Sequence, residues 1–190
     1  NKNKIKEVQA LMPAHIKLIG LSDINFTEEI AETASTIEGN AKLKAEFIWN
    51  YLKQHPSEIK IDAVFADDSG LEVEALNWAP GVYSARYAGE PKNDEANNKK
   101  LLEELKQQTK RNAQFKTVIA FINENTYQEF EGIIKGTMAY EPRGKSGFGY
   151  DPLFIPQGYR STFAELDFET KNKIPHRAIA VKKLVEYLQS

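Results

Sequence analysis

A chain of 190 residues with 41% hydrophobic and 27% charged side chains has the composition of one folded domain with a sizeable core, which argues against disordered and membrane-spanning classes. A formal net charge of −2 gives no global attraction to nucleic acid, so phosphate binding must come from local clusters. The absence of cysteine excludes disulfides, thiolate zinc sites and a cysteine nucleophile together, and the expectation is a cytoplasmic protein without nucleic-acid or membrane partners.

The chain opens at Asn1 without Met, as though a preceding strand were missing. Ile5, Val8 and Leu11 predict a short helix over 3–12, ended by Pro13, and Ile16 to Ile19 predicts a strand. Residues 22–34 carry Glu28, Glu29 and Glu32 without a clear period and predict a loop. The clearest helix follows. Ser35 or Thr36 is its candidate N-cap, and Ile37, Ala41, Ala45, Ile48 and Leu52 recur at steps of three or four until Pro56. Asn40 and Lys44 share one face of it.

Asp62 to Ala66 predicts a buried strand running into a turn at Gly70, after which Leu71 to Val73 resumes as a second short strand. Ala79 to Gly89 is too aromatic for a linker and predicts an ordered connection. Asp94 is expected to cap a helix through about residue 108, with Leu101, Leu102 and Leu105 inside. Two long strands, 113–122 and 127–139, are joined by a hairpin turn at Asn123 to Asn125. A loop over 141–150 leads to a strand at 152–155, and a last helix starts at Pro175 with Ala178, Val181, Leu184, Val185 and Leu188 buried. Together these predict a single α/β domain over 1–190, a mixed sheet with helices on its faces.

Three clusters bear chemistry. Asp67, Asp68 and Ser69 form either a hydrogen-bonded turn or a hard-oxygen site that, with the acidic loop at Glu32, suits Mg²⁺ together with phosphate oxygens and water. In Arg143 to Pro152, Gly144, Gly147 and Gly149 let backbone amides approach a ligand, with Arg143 and Lys145 adding positive charge. Its Gly-Lys-Ser is not a P-loop, because Ala139 stands where the first glycine is required. Phe148 and Tyr150 are either base-stacking faces or core aromatics beside a turn. Lys171, Lys173, His176 and Arg177 stand before the last helix, either as a solvated basic turn or as an anion site. Acids for magnesium, bases for polyphosphate and aromatics for a nucleobase describe a nucleoside triphosphate.

The blocks Asn1-Lys-Asn-Lys4 with Glu7, Glu32, Asn40 to Lys44, Ala66 to Leu71, Pro80 to Gly89, Gly147 to Pro152, and Lys171 with His176-Arg177 resemble, in order and nearly end to end, the inosine triphosphate pyrophosphatase family. The resemblance implies an α/β fold with an elongated mixed β-sheet, flanking helices and two lobes around a central cleft. It further implies a homodimer and Mg²⁺-dependent hydrolysis of ITP, dITP or XTP to the monophosphate and pyrophosphate. By the same resemblance Asp68 matches the general base, and Glu32 and Asp68 the metal-side carboxylates. Lys4 with Asn1, Lys2 and Asn3, together with Lys44, Ser69 and Lys171, matches phosphate or substrate contacts. Phe148, Gly149, Tyr150, Asp151, His176 and Arg177 match the base-binding side. Pro175 departs from the family, which commonly has Ser there.

On this reading Asp68 takes the proton of a water attacking the α-phosphorus, and lysines stabilise the departing pyrophosphate. Donors facing the 6-oxygen, from Arg177 or glycine-loop amides, would reject a 6-amino purine by about 10⁴-fold. The alternatives are a pyrophosphatase for pyrimidine or modified triphosphates, a phosphatase releasing orthophosphate, and a nucleotide-binding regulator without turnover.

Overall fold

The computed structural model describes residues 5, 8–55, 59–167 and 176–190. Among the described residues its sheet has four strands in the order β1-β2-β3-β4: β1 Ala63–Val73, β2 Asn112–Asn123, β3 Tyr127–Met138 and β4 Phe154–Pro156. Cross-strand side-chain pairs Ser69 with Thr117 and Glu72 with Gln114, continued by Glu74 just past β1 with Asn112, run in opposite directions along β1 and β2, as antiparallel neighbours do. The β2–β3 hairpin closes with Asn123 N–H on the Thr126 carbonyl, and β4 pairs antiparallel with β3, Thr137 opposite Ile155. The helices are α1 Ile37–Gln54, α2 Asp94–Glu104 and α3 His176–Gln189. None of the described helices is long and apolar enough to cross a membrane.

The chain divides into two compact units. The first holds 1–68, 118–131 and 178–190, and the second 69–117 and 132–177. In the first, Ala180, Val181 and Leu184 of α3 pack with Ile119 and Phe121 of β2 and with Val8 and Met12. In the second, Leu71 and Val73 of β1 pack with Leu101 and Leu105, Met138, and the aromatic group Tyr150, Phe154 and Phe163. Both cores collect the apolar stripe of a helix and the inward face of a strand, so burial at roughly 25 cal/mol per Å² favours each locally.

Several expectations are corrected. The turn at Gly70 does not exist. β1 runs unbroken through Asp67, Asp68 and Gly70, because a second segment, 79–84, hydrogen-bonds along it: Glu72 bridges Pro80, Val73 N–H meets the Ala79 carbonyl, and Leu71 N–H meets Ser84 Oγ. Ile16 to Ile19 forms no ladder, since the Gln9 side chain takes its place, donating to the Ile16 carbonyl and accepting from Leu18 N–H. Near the start, Leu11 is exposed and Met12 is buried in its place. The cap of α2 is Asn93, which accepts from Ala96 N–H, and Asp94 lies inside the first turn. Gly81–Arg86 forms a 3₁₀ helix, which is the order expected of that connection.

Candidate active site

The first cluster is built by α1. Thr36 caps the helix through Gly39 N–H, and Asn40, one turn before Lys44, is buried with its Oδ1 accepting from Ala34 N–H at 2.9 Å. That bond draws the acidic loop against the helix face carrying Lys44. The Lys44 ammonium then donates to Glu32 Oε1 at 3.0 Å and to Asp68 Oδ1 at 3.1 Å. Burial acts against the charge of Lys44, but the Asp68 and Glu32 carboxylates outweigh it and hold the ammonium above the ordinary lysine value. Residues 36 positions apart in sequence are thereby gathered on one nitrogen.

These carboxylates are the side chains present that would hold a divalent cation. Both already contact one positive charge, and both supply the hard oxygens that Mg²⁺ prefers. Among the described residues no three His, Cys, Asp or Glu side chains converge as a metal group, so such an ion would complete its shell with phosphate oxygens and water.

The second cluster starts at Ser69, the next residue of β1. Ser69 Oγ lies 2.6 Å from Thr117 Oγ1, and Thr117 Oγ1 lies 2.5 Å from His176 Nδ1. The His176 ring stacks on Phe115, centroids 5.4 Å apart and planes 13° from parallel, and Phe115 leans in turn on Phe154 and Phe163. Arg177 follows His176 in the first turn of α3, half-buried.

The glycine loop separates the two aromatics that the sequence left equivalent. Phe148 is 77% exposed, whereas Tyr150 is 4% exposed and donates from its hydroxyl to the Ser84 carbonyl at 2.8 Å. Burial, followed by the neighbouring acidic groups Tyr87, Asp94 and Glu104, raises the Tyr150 phenol well above its usual value. Asp151, buried, closes the loop by accepting from Phe148 N–H at 3.1 Å. Gly149, at φ +60°, is gripped from both sides by α2: its N–H donates to Asp94 Oδ2 and its carbonyl accepts from Asn98 Nδ2. The Gly149 amide is thus occupied within the protein instead of directed at a ligand. Arg143 is likewise engaged, donating to the Arg160 carbonyl and facing Glu165.

The structure therefore brings together Glu32, Lys44 and Asp68, and separately Ser69 and His176, and it exposes Phe148. Asn1, Lys2, Asn3, Lys4 and Lys171, with Pro175, lie outside the described residues. Sequence reading missed Thr117, Asn93 and Asn98, and it named Asp94 as a helix cap without its bond from the Gly149 amide. The helix cap rule admits Asn93 and Asp94 alike, and Thr117 required the β1–β2 register.

The sequence model of the Ham1 family matches residues 1–187. The chain is 52% identical over 190 residues to a dITP/XTP pyrophosphatase of Flavobacterium psychrophilum, covering 100% of this chain and 96% of that one. It is 44% identical over 194 residues to a dITP/XTP pyrophosphatase of Bacillus subtilis, covering 100% and 94% respectively. Its structure is similar to that of the Staphylococcus aureus Ham1 protein, with a TM-score of 0.89 at 42% identity over 100% of this chain and 94% of the other. A match over nearly the whole length in sequence and in fold leaves one conclusion: the chain belongs to the Ham1 family.

Proposed function

We propose that this protein is a nucleoside triphosphate pyrophosphatase that hydrolyses dITP, ITP and XTP to the monophosphate and pyrophosphate, clearing non-standard purines from the nucleotide pool of the cytoplasm. The observation that carries this reading is the Lys44 ammonium shared by Glu32 and Asp68, two carboxylates held around one cation beside Ser69. The names of its relatives support the substrate class. Mg²⁺ is the cofactor proposed, held by Glu32 and Asp68, and when bound it supplies neutralisation of phosphate charge and acidification of water.

The chain's own residues do the rest. Asp68 accepts a proton from the water whose oxygen attacks the α-phosphorus, and the bond from that phosphorus to the bridging oxygen breaks as pyrophosphate leaves. Lys44 stabilises the charge that develops on the phosphate oxygens, together with Lys4 and Lys171. Ser69 donates to a phosphate oxygen, as do Asn1, Lys2 and Asn3 in the same reading. Phe148, exposed at the rim of its loop, offers its face to the base. His176, Arg177 and Asp151 belong to the base side, and Arg177 is the proposed donor to the 6-oxygen, since the Gly149 amide is taken by Asp94. The active form is proposed to be a homodimer of one such domain per chain.

A panel of dITP, ITP, XTP, dATP, dGTP and pyrimidine triphosphates with Mg²⁺, with both products identified, tests this directly. Pyrophosphate and monophosphate from the 6-oxo purines, with dATP turned over at least 100-fold more slowly, is the expected result. Orthophosphate, or binding without turnover, overturns it.

A further inference from the structure

A threonine that no motif singled out ties two proposed substrate-contacting side chains together. Thr117 is fully buried in β2, and its hydroxyl is in hydrogen-bond contact with Ser69 Oγ on one side and His176 Nδ1 on the other. The Phe115 stack holds the plane of the His176 ring, and within that plane the bond to Thr117 selects the flip that points Nδ1 at the hydroxyl. A hydroxyl has one proton to give and lone pairs to receive. Thr117 can therefore donate to Ser69 or to His176, but not to both at once.

The two arrangements differ in what they present to a ligand. If Thr117 donates to His176 Nδ1, it must accept the Ser69 proton, and Ser69 then offers a ligand only lone pairs. If Thr117 donates to Ser69 Oγ, the Ser69 proton is available to a ligand, and His176 must carry its own proton on Nδ1 to donate to Thr117. A phosphate oxygen has no proton to give, so the serine must donate to it. From this we infer that Thr117 is a positioning residue: it couples Ser69 to His176 so that the serine is set to donate to a phosphate oxygen while the imidazole keeps its proton on Nδ1. The inference rests on the proposed contact of Ser69 with the triphosphate. The bonds involved are hydrogen bonds only, and no covalent step passes through Thr117.

The coupling fixes the histidine as well as the serine. With Nδ1 holding a proton, the polarity of the histidine is set by Thr117, a residue to which the functional reading assigns no substrate contact. Removal of the Thr117 hydroxyl would let each end rotate independently.

The test uses the full-length protein and two substitutions, Thr117→Val, which keeps shape without the hydroxyl, and Thr117→Ser, which restores it. For Thr117→Val we expect kcat/KM for dITP to fall about 10- to 100-fold, carried mainly by a rise in KM, with the Tm kept within a few degrees. Thr117→Ser should return to within about threefold of the parent. Long-range ¹⁵N–¹H correlation spectra of His176 with dIMP and inorganic pyrophosphate bound should show protonated Nδ1 in the parent and in Thr117→Ser, and a changed Nδ1 signal in Thr117→Val. Parent-like KM in a folded Thr117→Val, or an Nδ1 signal unchanged by the substitution, overturns the inference. So does an activity loss that falls on kcat per folded molecule alone, or that Thr117→Ser does not rescue. If the parent releases no pyrophosphate from any purine triphosphate, the functional reading fails, and the Nδ1 signal still decides the coupling.

Discussion

Gly70 lies directly against the backbone of Gly81: a Cβ at Gly70 would sit 2.2 Å from the Gly81 carbonyl oxygen and 2.9 Å from Ser84 Oγ. The same Ser84 hydroxyl donates to the Gly81 carbonyl and accepts from Leu71 N–H, so the contact is braced and has little room to yield. Gly70→Ala is expected to destabilise the protein by about 2–3 kcal/mol through forced displacement of the 79–84 segment. Urea unfolding of the two proteins measures it, and a loss below about 0.5 kcal/mol would mean that the segment shifts freely.

The same glycine shows where sequence reading stops. A glycine after Asp-Asp-Ser permits either a turn or a close approach of two backbones, and only the second segment, arriving from residues 79–84, decides between them. Helix α1 was legible because its cap and its apolar steps are local, and the β2–β3 hairpin for the same reason. Thr117 was not, since its partners stand 48 and 59 residues away and nothing in a lone threonine within a strand announces a cross-strand register. Asp68 and the acidic loop at Glu32 were legible as hard-oxygen donors, and Lys44 by the helix face it shares with Asn40, while their joint role came through family resemblance; their spacing alone does not say that Asn40 pulls the acidic loop onto the helix.

Asp68→Asn isolates the proposed proton acceptor. Asparagine keeps an oxygen for the Lys44 ammonium, now 3.1 Å from the aspartate, so folding should hold. The kcat for dITP should drop by about 10²- to 10⁴-fold while the Tm changes little. Full turnover in a folded variant removes Asp68 from the role of base.

Lys44→Met tests the shared cation. Lys44 touches two carboxylates, each less than a third exposed, and its removal is expected to cost about 1–3 kcal/mol of stability as well as activity. If the loss is in activity only, the ammonium serves the phosphate without bracing the acidic loop.

Phe148→Ala separates base stacking from packing. A side chain 77% exposed contributes little to the fold, so stability should move by less than about 0.5 kcal/mol. KM for dITP should rise by about 5- to 100-fold if the ring supports the base, in line with stacking worth about 1–3 kcal/mol. An unchanged KM would assign the exposed phenylalanine to another surface.

Tyr150→Phe makes the opposite prediction for its near neighbour, because the Tyr150 hydroxyl is buried on the Ser84 carbonyl and the ring belongs to the core. Its loss leaves that carbonyl one donor short and should cost about 1–2 kcal/mol at neutral pH, with KM little altered. The pH dependence follows from burial, which raises the phenol in the folded protein above its ordinary value of 10.0. Above that pH the unfolded chain loses this proton before the folded one does, so unfolding is favoured and the contribution of Tyr150 is complete below pH 10.0 and falls as pH rises. The stability difference between parent and Tyr150→Phe should therefore stay constant from neutral pH up to that point and then shrink, by at most about 1.4 kcal/mol per pH unit. Paired urea titrations at a series of alkaline pH values measure this, and a difference that widens above pH 10.0 would mean that the phenolate is accommodated in the fold, contrary to the direction its burial sets.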